Sequence, residues 1–132
     1  MCCEVELTTI REPIYRVPMR DDYEHLLPLS PATLHVLLAL ATEDLHGYGI
    51  MLEVVRQSAG RYKMGPGTLY DNLEKQMKLG LVEESTEKRR AVPARRIYHL
   101  NKAGRAVLAA ETDRLTGVLR EAKRCLRLSE GG

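Results

Sequence analysis

The side chains best placed to do chemistry sit near the middle of the chain, and their types point to recognition rather than bond-making. Thr68, Tyr70, Asp71 and Lys75 lie with Gly67 in the stretch 63–80, KMGPGTLYDNLEKQMKLG, whose pattern reads as a helix. The start of a helix leaves backbone N–H groups unpaired and carries the positive end of the dipole, so hydroxyls in that turn are well placed around an anion. A phosphate is therefore the first expectation for Thr68 and Tyr70, ahead of base edges. An amphipathic tyrosine can instead pack its ring on a neighbouring element, here the extended segment that follows. Lys75 and Lys78 would act as point charges along a backbone, with Lys78 the more solvated of the two. A second cationic group follows at 88–96, where Lys88, Arg89, Arg90, Arg95 and Arg96 occur with no acid among them. Opposite a phosphate backbone, Arg89 and Arg90 would displace counterions and steepen the salt dependence by about 0.9 per contact. The plain alternative is a solvated turn.

Other chemistries find little support. Gly65-Pro66-Gly67 lacks the third glycine of a dinucleotide loop, and Pro66 removes a donor. His46 has no ligand partners at metal spacing, and the sequence contains no nucleophile elbow, zinc-protease or Walker pattern. No enzyme activity, cofactor or metal is expected. Cys2, Cys3 and Cys125 form neither a disulfide framework nor a C-x-x-C pair, so Cys125 reads as a small apolar helix residue. With no long apolar run and no secretory pattern, the expected compartment is the cytoplasm and no membrane is involved.

The 132 residues suffice for one domain with a modest core. Apolar residues make up 44% and charged residues 29%, as in a globular protein, and the aromatic 5% is all tyrosine, so Leu, Val, Ile, Met and Ala must build the core. Lys and Arg number 20 against 18 Asp and Glu, a net +2 that neither demands nor excludes nucleic acid.

The elements that would position the central residues follow from local signals. Residues 1–29, with scattered prolines and an acidic balance, read as a mobile arm that has a short helical turn near 22–27. Ser30-Pro31 starts a helix to about residue 42 that is apolar nearly all round, hence a core helix or one shared with a second subunit. A turn at 43–47 leads to a second helix, 47–58, with Tyr48, Ile50, Met51, Val54 and Val55 on its packed side and Ala59-Gly60 ending it. Pro66 opens the third helix and Gly80 closes it, with Leu69, Leu73 and Met77 as its apolar stripe. Two strands at 81–86 and 95–100 flank the basic turn, with Tyr98 and Leu100 facing inward and Arg95 or Arg96 free to pair with Glu83 or Glu84. Three close helices followed by a hairpin make a winged helix-turn-helix. Asn101 caps a last helix, 102–128, on which Leu108, Leu115 and Ala122, alternating with Val118 and Cys125, keep a seven-residue rhythm that Leu119 and Leu126 broaden, with Arg114, Arg120, Lys123, Arg124 and Arg127 on its solvated side. Such a seam is covered most simply by a second copy. The fold class is thus mainly α with a small β-hairpin. Residues 1–29 form the arm, 30–100 the DNA-binding domain and 101–132 the dimerisation helix and tail.

In that order and spacing the chain resembles the PadR family of winged-helix transcriptional regulators, in its shorter form with one C-terminal helix. The resemblance rests on Leu37-Leu38-Ala39-Leu40, His46-Gly47-Tyr48-Gly49-Ile50, Gly67-Thr68-Leu69-Tyr70, Gly80-Leu81-Val82-Glu83, and Arg96-Ile97-Tyr98-His99-Leu100 with Ala103-Gly104-Arg105. It implies a homodimer joined by the last helix, third helices set in successive major grooves of double-stranded DNA, and repression relieved by a small molecule or another signal. The tryptophan with which some members stack flat drugs is absent. The competing reading, from a different class, is a winged-helix protein-interaction module that uses the acidic arm and the first helix as its contact surface.

Overall fold

The computed structural model describes residues 23–85 and 96–131. Its first helix, α1 (Pro31–Thr42), begins where serine and proline place it, with the Ser30 hydroxyl accepting from the Thr33 N–H at 3.2 Å. Val36, Leu37, Ala39 and Leu40 are at most 1% exposed, and Leu34 and Leu38 are half-buried against them. Helices on several sides and the sheet surround α1, so its all-round apolar character is used within its own subunit.

Leu45 and His46, expected in a turn, form a short strand, β1 (Leu45–His46), paired antiparallel with a later strand through Leu45↔Tyr98 and His46↔Ile97. Local periodicity could not have shown this, because a two-residue strand is defined by the free edge it meets. Helix α2 (Gly47–Gln57) is capped by the His46 ring, whose Nδ1 accepts from the Gly49 N–H at 3.2 Å. Ile50 and Val54 turn into the core. Tyr48 does not pack as expected. It is 62% exposed because it stands on the side of α2 opposite Ile50, shared with the exposed Leu52.

Helix α3 (Pro66–Lys78) buries Leu69 and Leu73, with Met77 half-buried. It closes on Gly80 at φ 80°, where the Gly80 N–H donates to Met77 and the Leu81 N–H to the Gln76 carbonyl. Strands β2 (Val82–Glu84) and β3 (Ile97–Leu100) pair antiparallel, giving the sheet order β1-β3-β2. Val82, Tyr98 and Leu100 face the core. Both strands are shorter than their sequence patterns. Arg89, Arg90 and Arg95 lie outside the described residues.

Asn101 holds three elements together. Its carbonyl oxygen accepts from the Gly104 N–H at 2.8 Å, starting α4 (Lys102–Gly131), while its amide donates to the Gly80 carbonyl and the Glu83 carboxylate. Gly104 must be small, since a Cβ there would run into the Leu81 carbonyl oxygen and the Leu100 side chain. Residues 1–22, most of the expected arm, lie outside the described residues, but Tyr23, Leu26, Leu27 and Leu29 pack against the core.

Candidate nucleic-acid interface

The burial of α3 decides what the domain presents. Leu69, Leu73 and Gln76 face inward at 2% exposure or less, so Gly67, Thr68, Asp71, Lys75 and Lys78 are left on one exposed face. Ser30, His46 and Asn101 cap the other three helices, but α3 starts at Gly65 without a side-chain cap. Its first turn has no side-chain cap, and with the Thr68 and Tyr70 hydroxyls it offers donors suited to a phosphate oxygen. Lys75 and Lys78 in the last turn extend the cationic character, though Lys78 approaches Glu74 at 3.7 Å.

Tyr70 is 38% exposed and lies across the first turn of α2, with its phenol where a side chain on Gly47 would stand. The ring thus neither floats in solvent nor disappears into the core. It is also close to Tyr98 of the wing. Burial pushes the Tyr98 phenol above the ordinary tyrosine value, and the neighbouring Tyr70 and Glu84 add to the shift in the same direction. On the wing, Arg96 pairs with Glu84 at 3.1 Å, one of the two partners expected for it. His99 bonds Asp44 at 2.9 Å, joining β3 to the residue before β1.

Sequence reasoning missed a polar cluster behind this face. The Thr33 hydroxyl lies 3.1 Å from the Ser30 hydroxyl and accepts from the Asn72 amide at 3.0 Å and the Gln76 amide at 3.3 Å. Thr33 and Gln76 are 6% and 2% exposed, so these bonds are shielded and set how α3 is rotated on α1. One signal was available: Gln76 falls on the Leu69–Leu73 stripe, where a polar residue needs a partner.

The last helix divides in two. Val107 and Leu108 belong to the subunit's own core, Leu108 at 9% exposure. Beyond Glu111 the helix leaves the domain, and Leu115, Val118, Leu119, Ala122 and Leu126 are all exposed. Glu111 was also missed. It is 1% exposed, accepts from Arg114 at 2.7 and 2.9 Å and from the Leu29 N–H at 3.3 Å, and so ties the segment before α1 to α4. The Arg114 guanidinium holds the Glu111 carboxyl below the usual carboxylate range, against burial, which acts the other way. Arg114 is therefore not a purely solvated residue, as expected from its helical position. Cys125 is exposed.

The described residues form a winged helix-turn-helix, a three-helix unit with a wing and an exposed polar face on its third helix, and none of their helices is long and apolar enough to cross a membrane. Residues 36–110 match the transcriptional regulator PadR-like family, and the chain belongs to that family. It is 34% identical over 90 residues to transcriptional regulator Rv3488 of Mycobacterium tuberculosis, an alignment covering 67% of this chain and 78% of that protein. A PadR family transcription regulator from Clostridium difficile has the same fold, with a TM-score of 0.61 at 18% identity, covering 74% of this chain and 99% of its own. RosR of H. salinarum gives a TM-score of 0.53 at 26% identity, covering 80% and 91% of the two chains. Family and relatives are regulators of transcription and not enzymes.

Proposed function

We propose that the protein is a homodimeric repressor that sets the exposed face of α3 into the major groove of a pseudo-palindromic operator. Gly67, Thr68, Tyr70, Asp71 and Lys75 meet the duplex, and Arg89 and Arg90 of the wing meet the flanking phosphates. The observation that carries this reading is the division of α3. Its apolar residues and Gln76 are spent on the domain, while all five candidates stay accessible, Gly67, Thr68, Tyr70 and Asp71 near the uncapped helix start and Lys75 in the last turn. The apolar row Leu115, Val118, Leu119, Ala122 and Leu126 stands clear of its own domain, and a second α4 would cover it, whereas Leu108, expected in the same seam, is taken up by the subunit's own core. Release by a small molecule belongs to the same reading. A cleft of about 360 Å³ lined by Arg105, Leu108, Ala109, Thr112 and Asp113 opens where that row begins. The protein acts in the cytoplasm, where its DNA lies. The rival role as a protein-interaction module fits less well, because it needs a free α1, and α1 is occupied by its own core.

The test is retention of a duplex from the protein's own promoter region at several salt concentrations. Wild-type binding should weaken steeply with salt, Tyr70→Ala and Arg90→Ala should each lower affinity about ten-fold or more, as for a lost bond to a charged group, and Leu119→Asp should give a monomer by sedimentation with weakened binding. Unchanged affinity in both Tyr70→Ala and Arg90→Ala would show that another surface reads the DNA.

A further inference from the structure

Three glycines of the described chain would bring an added Cβ within 3.0 Å of another atom, and what stands in the way differs in kind; at Gly49 it is the His46 ring that caps the same helix, at 2.9 Å. At Gly104 the obstruction includes backbone, the Leu81 carbonyl, so the glycine serves the fold. At Gly47 all three nearest atoms belong to the outer end of one side chain, the Tyr70 phenol, with Cζ at 2.7 Å from where the Cβ would lie. No left-handed conformation calls for glycine there: Gly47 is absent from the positive-φ glycines and is simply the first residue of α2. Helix propensity alone would favour alanine. The glycine is therefore explained by the tyrosine it faces rather than by its own backbone.

We infer that Gly47 is a positioning residue for DNA recognition, whose missing side chain seats the Tyr70 phenol across the first turn of α2 and so fixes where its hydroxyl meets the duplex. This inference rests on the reading of α3 as the DNA-facing helix. The seat has two sides. Gly47 is buried beneath the ring, and Tyr98 of β3, buried at 4% exposure, stands near enough to sense Tyr70 electrostatically. The outer side is open, Tyr70 keeping 38% of its surface exposed. A tyrosine has only two main torsions to fix, so the floor provided by Gly47 restricts its hydroxyl at low entropic cost. A methyl group on Gly47 lifts the ring from this floor toward solvent. Because the displaced atoms are the movable tip of a partly exposed side chain, the domain itself stays folded. Seating the hydroxyl on α2 also makes the orientation of two helices, rather than of α3 alone, part of the recognition geometry. A displacement of an ångström is then enough to lose a hydrogen bond to a phosphate oxygen.

The experiment is a double-mutant cycle on the full chain, with Gly47→Ala, Tyr70→Ala and the two combined. Affinity is measured for the duplex that the wild-type protein retains most tightly from sheared DNA of its own genome, alongside thermal midpoints and the Tyr70 ring-proton resonances. Gly47→Ala is expected to lower affinity about ten-fold, the size of one lost bond to a charged group, to shift the Tyr70 resonances and to leave the midpoint unchanged or higher. In the Tyr70→Ala background it should cause no further loss of affinity. The inference is overturned if Gly47→Ala binds as the wild type while Tyr70→Ala does not, or if it costs as much with Tyr70 removed, which would mark a purely structural role. Should Gly47→Ala alone fail to fold, recovery of folding in the double variant supports the contact, and failure to recover rejects it. If Tyr70→Ala binds normally, the assignment of α3 to the duplex fails instead, and the ring resonances alone then decide whether Gly47 seats the tyrosine.

Discussion

Replacing Thr33 with valine keeps the shape of the side chain and removes the one oxygen on which the α1–α3 polar cluster depends. Thr33 is 6% exposed, and its hydroxyl receives the Asn72 amide at 3.0 Å and the Gln76 amide at 3.3 Å. In Thr33→Val the Gln76 amide, on a side chain 2% exposed, is left with no acceptor among the described residues and no access to water, which costs about 1–3 kcal/mol. Asn72 is only half-buried and can rehydrate at the rim, so it adds less, about 0.5–1 kcal/mol. The sum, about 1.5–4 kcal/mol, should lower the thermal midpoint by roughly 5–16 °C for a chain of this size. The decisive comparison is with Gln76→Met, which is nearly the same length and carries no polar atoms. The side-chain amide oxygen of Gln76, Oε1, is already buried without a partner among the described residues, so the methionine relieves that deficit too. In the Thr33→Val background Gln76→Met should therefore recover most of the loss, since removing both partners of a buried bond is close to neutral. Thermal and urea unfolding of the two single variants and the double, at one protomer concentration, provide the assay. Simple additivity of the two changes, or a Thr33→Val protein as stable as the wild type, would refute the claim that this hydroxyl holds α3 on α1. On the proposed reading, in which α3 faces the duplex, Thr33→Val should also weaken DNA binding beyond what its stability loss explains, as the helix is freer to roll.

Gly104→Ala should be among the most damaging small substitutions, losing about 2 kcal/mol or more in denaturant unfolding, because the new methyl meets the Leu81 carbonyl and Leu100 and neither can retreat; wild-type stability in this variant would contradict the close approach of α4 to the wing. Arg114→Ala should change the sign of one pH response. In the wild type Glu111 has its pKa depressed by Arg114, so its stabilising share is complete above the ordinary carboxylate range and disappears as pH falls through the lowered value. Without Arg114, burial dominates and raises the Glu111 carboxyl, so protonation relieves the variant and its deficit should shrink between about pH 7 and about pH 4. Parallel stability profiles for the two proteins over that interval would show that the ion pair does not control Glu111.

Much of this protein is written locally in its chain. Ser30-Pro31, Pro66, Gly80 and Asn101 act on their own neighbours, through a cap, a fixed φ or a left-handed turn, and each ends or begins a helix where its chemistry requires. The stripe of Leu69, Leu73 and Met77 shows which side of α3 packs, and by subtraction which residues are presented, because a helix repeats every 3.6 residues wherever it is placed. The tertiary structure decides what depends on partners distant in sequence. It makes Leu45-His46 a strand because β3 offers an edge, turns Tyr48 outward and Glu111 inward, and gives Gln76 a reason to interrupt an apolar stripe. It also explains Gly47, whose neighbour in space lies on another helix, 23 positions along the chain. Such contacts are set by how the helices cross, and no periodicity within a single segment contains that angle.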